Sequence, residues 1–306
     1  MRTMFMHVML GVATTFATAI SLKAQAFCAL RDPVRHIKLM HERPTEYRSL
    51  VAKIDESVRG AVSELLPFTL HARELGRHTL YVLTEKGSPN GYLHARSEAS
   101  PWGMVEVVWS FDEDLHVRAF RFQRCRAPGR PRFESESFHN WIEGQSFTDL
   151  LDALDDRGLV LSAKHRKRFA GEERLAVTII RSALKAIAVT DLAWGTDIAE
   201  RRLTSLLATT CGAERFKTHL RREHECVVIG LNKTGKEVGR AVRVLEDANQ
   251  VSAGRMIVFD TDRRVLFEST LPRPQQNIVA AAPMAESKPT SKLDARKRAT
   301  LAAYDQ

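Results

Sequence analysis

The strongest constraint on how this chain folds is a pattern of strands and tight turns that occurs twice. Residues 79–122 read TLYVLTEKGSPNGYLHARSEASPWGMVEVVWSFDEDLHVRAFRF, and residues 225–269 read ECVVIGLNKTGKEVGRAVRVLEDANQVSAGRMIVFDTDRRVLFES. Each run opens as a strand, turns through Lys, Thr and Gly, and resumes in a strand beginning at Gly91 or Gly239. Gly103 or Gly254 leads a third strand, and Phe111-Asp112 matches Phe259-Asp260 at an Asp-rich hairpin before the last. β-Branched and aromatic runs bounded by Gly, Asn and Asp specify antiparallel strands joined by short turns. Two unrelated meanders share such punctuation as readily as a duplication does. A duplication would make one pseudo-symmetric unit or two similar α+β modules.

Around these runs the period changes to that of helices. Tyr47, Leu50, Val51, Ile54, Val58, Val62, Leu65 and Leu66 recur every three or four positions, which predicts one amphipathic helix from Glu46 to Leu66, ended by Pro67. A short helix is expected within Asp32 to Arg43, and further helices at Glu136 to Glu143, Phe147 to Leu154, Leu175 to Ala188, Ile198 to Thr209 and Ala213 to His224. Strands are expected at His78 to Leu83, Tyr92 to Glu98, Met104 to Phe111 and Leu115 to Phe122, then again at Cys226 to Leu231, Gly239 to Leu245, Arg255 to Phe259 and Val265 to Ser269. The fold class is therefore α+β, an antiparallel meander packed with helices and repeated in the C-terminal half. The expected divisions are a first domain over 27–195 and a helical pair with a second meander over 196–272. Residues 273–306, rich in Ala, Pro, Lys, Ser and Gln, read as a disordered basic tail.

The N-terminus reads as a targeting segment. Arg2 and His7 precede an apolar run from Val8 to Leu22, and Ala24-Gln25-Ala26 supplies a small-x-small cleavage pattern. The run is shorter than the ~20 apolar residues a bilayer span needs. Phe27, where a lipoprotein would carry a small residue before Cys28, excludes a lipid anchor. The expectation is a periplasmic protein beginning near Phe27, with an uncleaved anchor as the other reading. A hydrophobic fraction of 44% supports a real core, and the net charge of +9 gives a basic surface. Export argues against nucleic acid as its partner and favours an acidic envelope partner or peripheral contact with an anionic membrane. The four cysteines, Cys28, Cys125, Cys211 and Cys226, lack Cys-x-x-Cys and zinc spacings. In an oxidising compartment they allow two disulfides in three pairings, of which Cys211–Cys226 with Cys28–Cys125 is the simplest.

Residues 119–187 carry the functional signal. A strand runs into Arg126-Ala127-Pro128-Gly129, then comes Phe138-His139-Asn140-Trp141-Ile142-Glu143-Gly144, and Leu175-Ala176-Val177-Thr178 enters a helix. In order and spacing, residues 78–190 resemble the FMN-binding domain family, known from peripheral flavin subunits of the Rnf and Nqr electron-transfer complexes. That family carries Glu-Thr-Pro-Gly, a Phe-x-x-(Gln/Trp)-(Phe/Ile)-x-Gly segment, and Ser-Gly-Ala-Thr, whose Thr is esterified to the phosphate of FMN. The resemblance implies FMN as cofactor and Arg126, Pro128, Gly129 and Thr178 as cofactor-binding positions. It also implies a membrane electron-transfer complex as partner. A Pro-Gly turn lets backbone approach a ring closely, and a Thr at a helix start presents its hydroxyl where N–H groups gather a phosphate. The chain departs from the pattern in three ways. Arg126 replaces the acidic residue, Leu175 and Val177 replace small neighbours, and Glu172 and Glu173 stand just upstream. FMN held covalently at Thr178, FMN held non-covalently, and FMN lost are all open on these residues.

Other candidates are weaker. Trp102, Trp109, Trp141 and Trp194 are the aromatic residues able to stack on a ring cofactor, although core placement is the ordinary fate of such residues. His71, His78, His94 and His116 lie in or beside the first meander without carboxylate or Cys spacing for a metal. No Gly-x-Ser-x-Gly anchors a hydrolase, and no catalytic constellation is found. Arg121, Arg124, Arg126, Arg130 and Arg132 form a dense basic patch suited to a phosphate or an acidic partner. The leading function is an accessory of periplasmic or membrane-associated electron transfer, at most a flavin electron carrier. The other is a cofactor-free envelope binding or assembly protein that retains the fold.

Overall fold

The computed structural model describes residues 29–41, 45–86, 88–222, 225–245 and 254–270. The expected targeting segment, Cys28 and the basic tail lie outside the described residues. Helix α1 (Pro33–Met40) comes first, followed by strand β1 (Glu46–Ile54), helix α2 (Glu56–Leu65) and a 3₁₀ turn at Ala72–Glu74. Strands β2 (Gly76–Glu85), β3 (Ser88–Ser100), β4 (Gly103–Phe111) and β5 (Val117–Arg124) complete an antiparallel sheet in the order β1-β2-β3-β4-β5.

The single helix expected over residues 46–66 is a strand followed by a helix. All nine residues of β1 pair with β2, from Glu46↔Thr84 to Ile54↔Gly76. Asp55 starts α2, its carboxylate accepting from the N–H groups of Ser57 and Val58. An N-cap residue cannot be helical itself, so it divides the run in two. Tyr47 and Val51, counted toward a buried helical face, lie exposed on β1 at the sheet edge.

Four short helices follow β5: α3 (Arg130–Phe133), α4 (Glu136–Ile142), α5 (Phe147–Asp152) and α6 (Ala163–Arg166). Gly144, at φ +78, ends α4 as its sequence position implies, and its N–H donates to the Val117 carbonyl. Helix α7 then spans Glu173–Cys211, 39 residues and about 58 Å. It replaces the two helices expected at 175–188 and 198–209, and the domain boundary expected after residue 195 falls inside it. From Leu175 to Thr190 every residue but Arg181 is buried, between the sheet on one side and α2 and α5 on the other. Beyond that, Trp194, Ile198, Ala199, Leu203 and Leu207 form a one-sided stripe. Gly212, left-handed at φ +64, terminates the helix.

A second five-stranded antiparallel sheet packs on this stripe, in the order β10-β9-β8-β7-β6. Its strands are β6 (Arg215–Arg222), β7 (Glu225–Leu231), β8 (Glu237–Leu245), β9 (Gly254–Phe259) and β10 (Val265–Thr270). The helix expected at Ala213 to His224 is therefore strand β6. Thr218 and Arg221 reach Glu200 and Asp197 on α7, and the register with β7 runs from Arg215↔Leu231 to Arg222↔Glu225.

The architecture repeats, and the repetition extends to single hydrogen bonds. Tyr92 pairs with Phe111 in the first sheet, as Arg240 pairs with Phe259 in the second. A Cβ on Gly91 would collide with the Phe111 carbonyl, and one on Gly239 would stand 2.7 Å from that of Phe259. In the β4–β5 hairpin the Asp112 carboxylate accepts from the N–H groups of Asp114 and His116 at 2.8 Å. In the β9–β10 hairpin Asp260 accepts in the same way from Asp262 and Arg264 at 2.9 and 2.8 Å. Leu115 and Arg263 both adopt φ 64 at the equivalent turn position. The main core lies between the inner face of the first sheet and α7, while α1 covers the outer face through Ile37 on Leu83, Leu93, Ala95 and Val108. Among the described residues no helix is long and apolar enough to cross a membrane.

Candidate functional site

Strand β5 delivers the chain to the Pro-Gly turn with Ala127 and Gly129 buried and Arg126 and Pro128 exposed. Gly129 has φ −72, which any residue adopts, so no left-handed backbone demands glycine here. What stands closest is the carboxylate end of Glu172, the residue that precedes α7, which a Cβ on Gly129 would displace. The turn and the start of the Thr-bearing helix are thus brought together. The space between them is filled by a carboxylate. Glu173 adds a second, accepting from the Gly171 N–H at 3.0 Å. Backbone N–H groups hold its carboxyl below the usual range.

Thr178 is the sixth residue of α7 and is 6% exposed. Its hydroxyl donates to the Arg174 carbonyl at 2.9 Å, one turn back along the helix. Leu175 and Val177 beside it are buried in the core. An ester at this hydroxyl would have to seat a phosphodiester anion among packed aliphatic side chains, on a helix whose first turn opens with Glu172 and Glu173, so the residues present do not fit FMN attached at Thr178. Arg126 and Pro128 are exposed, whereas Thr178 is buried.

The structure gathers a cationic surface around the same turn. Arg132 donates to the carbonyls of Ala170 and Arg168 at 2.7 and 2.6 Å, joining the arginines after β5 to the run Lys164-His165-Arg166-Lys167-Arg168 on and after α6. Lys164, Arg166, Lys167 and Arg168 are exposed. Between the two lies a small, shallow cleft of about 80 Å³, with Arg132, Arg168, Ser135 and Ser137 on its rim and Phe133, Phe138 and Phe169 beneath. Of the patch read from sequence, Arg124 pairs with Glu106 at 3.6 Å and Arg130 with Glu134 at 2.8 Å, while Arg121 and Arg126 stand exposed. The basic run at 164–168 was open to sequence reasoning as a charge cluster. That it joins the earlier arginines depends on Arg132 and was not.

A second assembly of polar groups is buried between the first sheet and α7. Lys185 Nζ lies 2.7 Å from Glu98 Oε2 and 3.2 Å from Glu74 Oε2. Arg96, 1% exposed, pairs with Glu74 at 2.9 Å, and Arg181 pairs with Glu98 at 3.3 Å. Burial pushes the Glu74 carboxyl up, but Arg96 and Lys185 outweigh it and hold the group below its ordinary value. His78 Nε2 donates to the Glu74 carbonyl at 2.7 Å, and its Nδ1 faces the Arg96 guanidinium. Burial and that guanidinium lower its pKa to about 4, so the ring is neutral at neutral pH. His94, fully buried and shifted the same way by burial, sits 2.8 Å from Thr190 Oγ1 and edge-on to Trp194. The carboxylates and cations pair with one another, while His94 Nε2 is buried without a hydrogen-bond partner. They fasten β2 and β3 to α7.

The remaining candidates resolve into structure. His78 and His94 do meet, edge to face at 5.9 Å, but His116 pairs with Asp112 at the distant hairpin and His71 caps the 3₁₀ turn. Among the described residues no group of His, Cys, Asp and Glu is placed to hold a metal. Trp109 is buried with Nε1 donating to Ser182, Trp194 is buried against His94, and Trp102 and Trp141 pack at the rim of the core.

The expected Cys211–Cys226 disulfide is absent. Both are free thiols, as is Cys125. Cys211 packs on Gly239, which pairs with Gly230, whereas Cys226 lies four residues away along β7, about 13 Å by strand rise. That separation exceeds what a disulfide spans. Burial pushes the Cys226 thiol up to about 12 and raises Cys125 and Cys211 as well. A thiol-titrating reagent at pH 8 should therefore leave Cys226 unreacted in the folded protein and reach it in denaturant. Reaction of Cys226 as fast when folded as when unfolded would contradict this packing.

In comparisons with known protein families, curated proteins and solved structures, no family model, no protein and no structure matches this chain.

Proposed function

We propose that the chain is a cofactor-free binding or assembly protein of the cell envelope, which keeps an FMN-binding-domain-like architecture without the flavin. One observation carries this reading: the protein's own groups occupy the attachment position. The Glu172 carboxylate lies against Gly129 where a ligand would approach the turn, and the Thr178 hydroxyl is committed to Arg174. A flavin relay needs a ring slot and an anchor for its phosphate, and this site offers the phosphate two carboxylates. The buried charges are consumed in pairing with one another. What the surface does offer is positive charge, from Arg121 and Arg126 through Arg132 to the run at Lys164–Arg168, and such a surface favours an anionic partner.

Titration with free FMN tests the non-covalent form of the alternative. Flavin fluorescence should stay unquenched up to about 1 mM protein, which bounds any binding at about 4 kcal/mol. Saturable quenching at one flavin per chain would overturn the cofactor-free reading.

A further inference from the structure

We propose that the turn at residues 154–161 and the basic run behind it form a docking site for an anionic bilayer surface. This names the partner of the binding reading above and rests on it. Leu159 and Val160 are 60% and 48% exposed, side by side at the tip of a turn closed by the Leu154↔Leu161 bridge. The pair is held out rigidly. Asp155 Oδ1 accepts from both their N–H groups at 2.7 and 3.0 Å, and the Asp155 N–H donates back to the Val160 carbonyl. At the base, Gly158 packs on the Phe68 ring, Arg181 donates to the Gly158 carbonyl at 3.1 Å, and its guanidinium lies 4.3 Å from the Phe68 centroid. The turn is thus clamped to α7 and to the core, and its two large apolar side chains remain in water.

The second, independent observation is charge. Residues 155–168 hold five cations, Arg157, Lys164, Arg166, Lys167 and Arg168, against two carboxylates. One of those, Asp155, is turned onto backbone N–H groups. An apolar tip beside clustered cations provides the two signals that interfacial binding needs, insertion into the acyl boundary and attraction to anionic headgroups. Two apolar side chains are far less than the ~800 Å² per partner of a stable protein interface, and a second copy would bring like charge to like charge. A fluid anionic interface accommodates both features.

Flotation of the full-length protein with vesicles tests the proposal. Vesicles of phosphatidylglycerol and phosphatidylcholine should retain the protein, pure phosphatidylcholine should not, and retention should fall as salt rises. The double variant L159S/V160S should bind about tenfold more weakly, and K164Q/K167Q about 25-fold more weakly at roughly fivefold per charge. All four positions are exposed, so these variants keep the fold. A L159W reporter should shift its emission to the blue on the anionic vesicles alone. Equal retention by neutral vesicles, variants that bind like the parent, or an unshifted reporter would each overturn the docking site. So would binding confined to an acidic protein. Tight FMN binding would overturn the cofactor-free reading and leave the vesicle result standing, so the two failures are distinguishable.

Discussion

Lys185→Met should lower the unfolding free energy by about 3–5 kcal/mol, the largest single-residue effect expected in this chain. The side chain is 3% exposed and its ammonium sits between two buried carboxylates, Glu98 at 2.7 Å and Glu74 at 3.2 Å. Taken together, three buried or half-buried cations (Arg96, Arg181 and Lys185) neutralise two carboxylates, so removing the central one leaves each carboxylate with a single remaining partner. A buried charge stripped of a partner keeps its desolvation cost and loses the compensating attraction. The same chemical change at the surface provides the contrast. Lys233, paired at 3.7 Å with Glu214, is 82% exposed, and Lys233→Met should change stability by less than about 1 kcal/mol. Urea unfolding of both variants, read at constant slope, makes the comparison. Glu98→Gln should cost less in the Lys185→Met background than in the parent chain, because Lys185 no longer depends on that carboxylate. Equal, small losses at positions 185 and 233 would mean that the network is solvated rather than buried.

Acid should unfold the protein through its histidines, well above the range where carboxylates protonate. His78 titrates near 4 in the folded chain because burial and the Arg96 guanidinium oppose its protonation, against 6.5 when unfolded. Between those values the unfolded state binds a proton that the folded state refuses, so stability rises with pH. The contribution is complete above pH 6.5 and lost as pH falls toward 4, roughly 3 kcal/mol for this residue. His94, buried completely and lowered in the same direction, adds to the loss over the same window. Glu74, held below its ordinary value, contributes its own loss only at more acid pH. Urea midpoints at pH 7 and pH 4.5 measure the effect, and His78→Gln should remove close to one proton, about 1.4 kcal/mol per pH unit, from the slope. A flat midpoint across that range would contradict the buried, neutral state of both rings.

The meanders were legible because turn chemistry and alternation agree. Gly91 and Gly239, Phe111 and Phe259, Asp112 and Asp260 are matched in the sequence, and they occupy matched positions in the two sheets. Helical periodicity misled where an edge strand exposes its large residues. Tyr47 and Val51 completed a helical stripe on paper and face solvent in β1, while Asp55, the capping signal, went unused. In β6, Phe216 and Leu220 stand four apart as on a helix, yet pairing with β7 fixes a strand. The continuity of α7 through Gly195 could not be seen either, because two sheets bury it from different sides. The buried network had one sequence signature. His94, Arg96 and Glu98 alternate with Leu93 and Ala95 along β3, and only the covering of both faces, by α7 and by α1, turns that alternation into a buried polar row. At the candidate site, Arg126 and the acidic pair Glu172-Glu173 stood out in the sequence. The contact of Glu172 with position 129 depends on tertiary approach.

On the proposed cofactor-free reading, Thr178 carries no flavin. The most direct measurement is the intact mass, together with the absorbance after denaturation, of the chain exported in cells that also contain a flavin transferase. An unmodified mass and a colourless protein are expected, because the hydroxyl is buried and bonded to the Arg174 carbonyl. An FMN increment on the peptide holding Thr178, with a flavin band that survives denaturation, would contradict it.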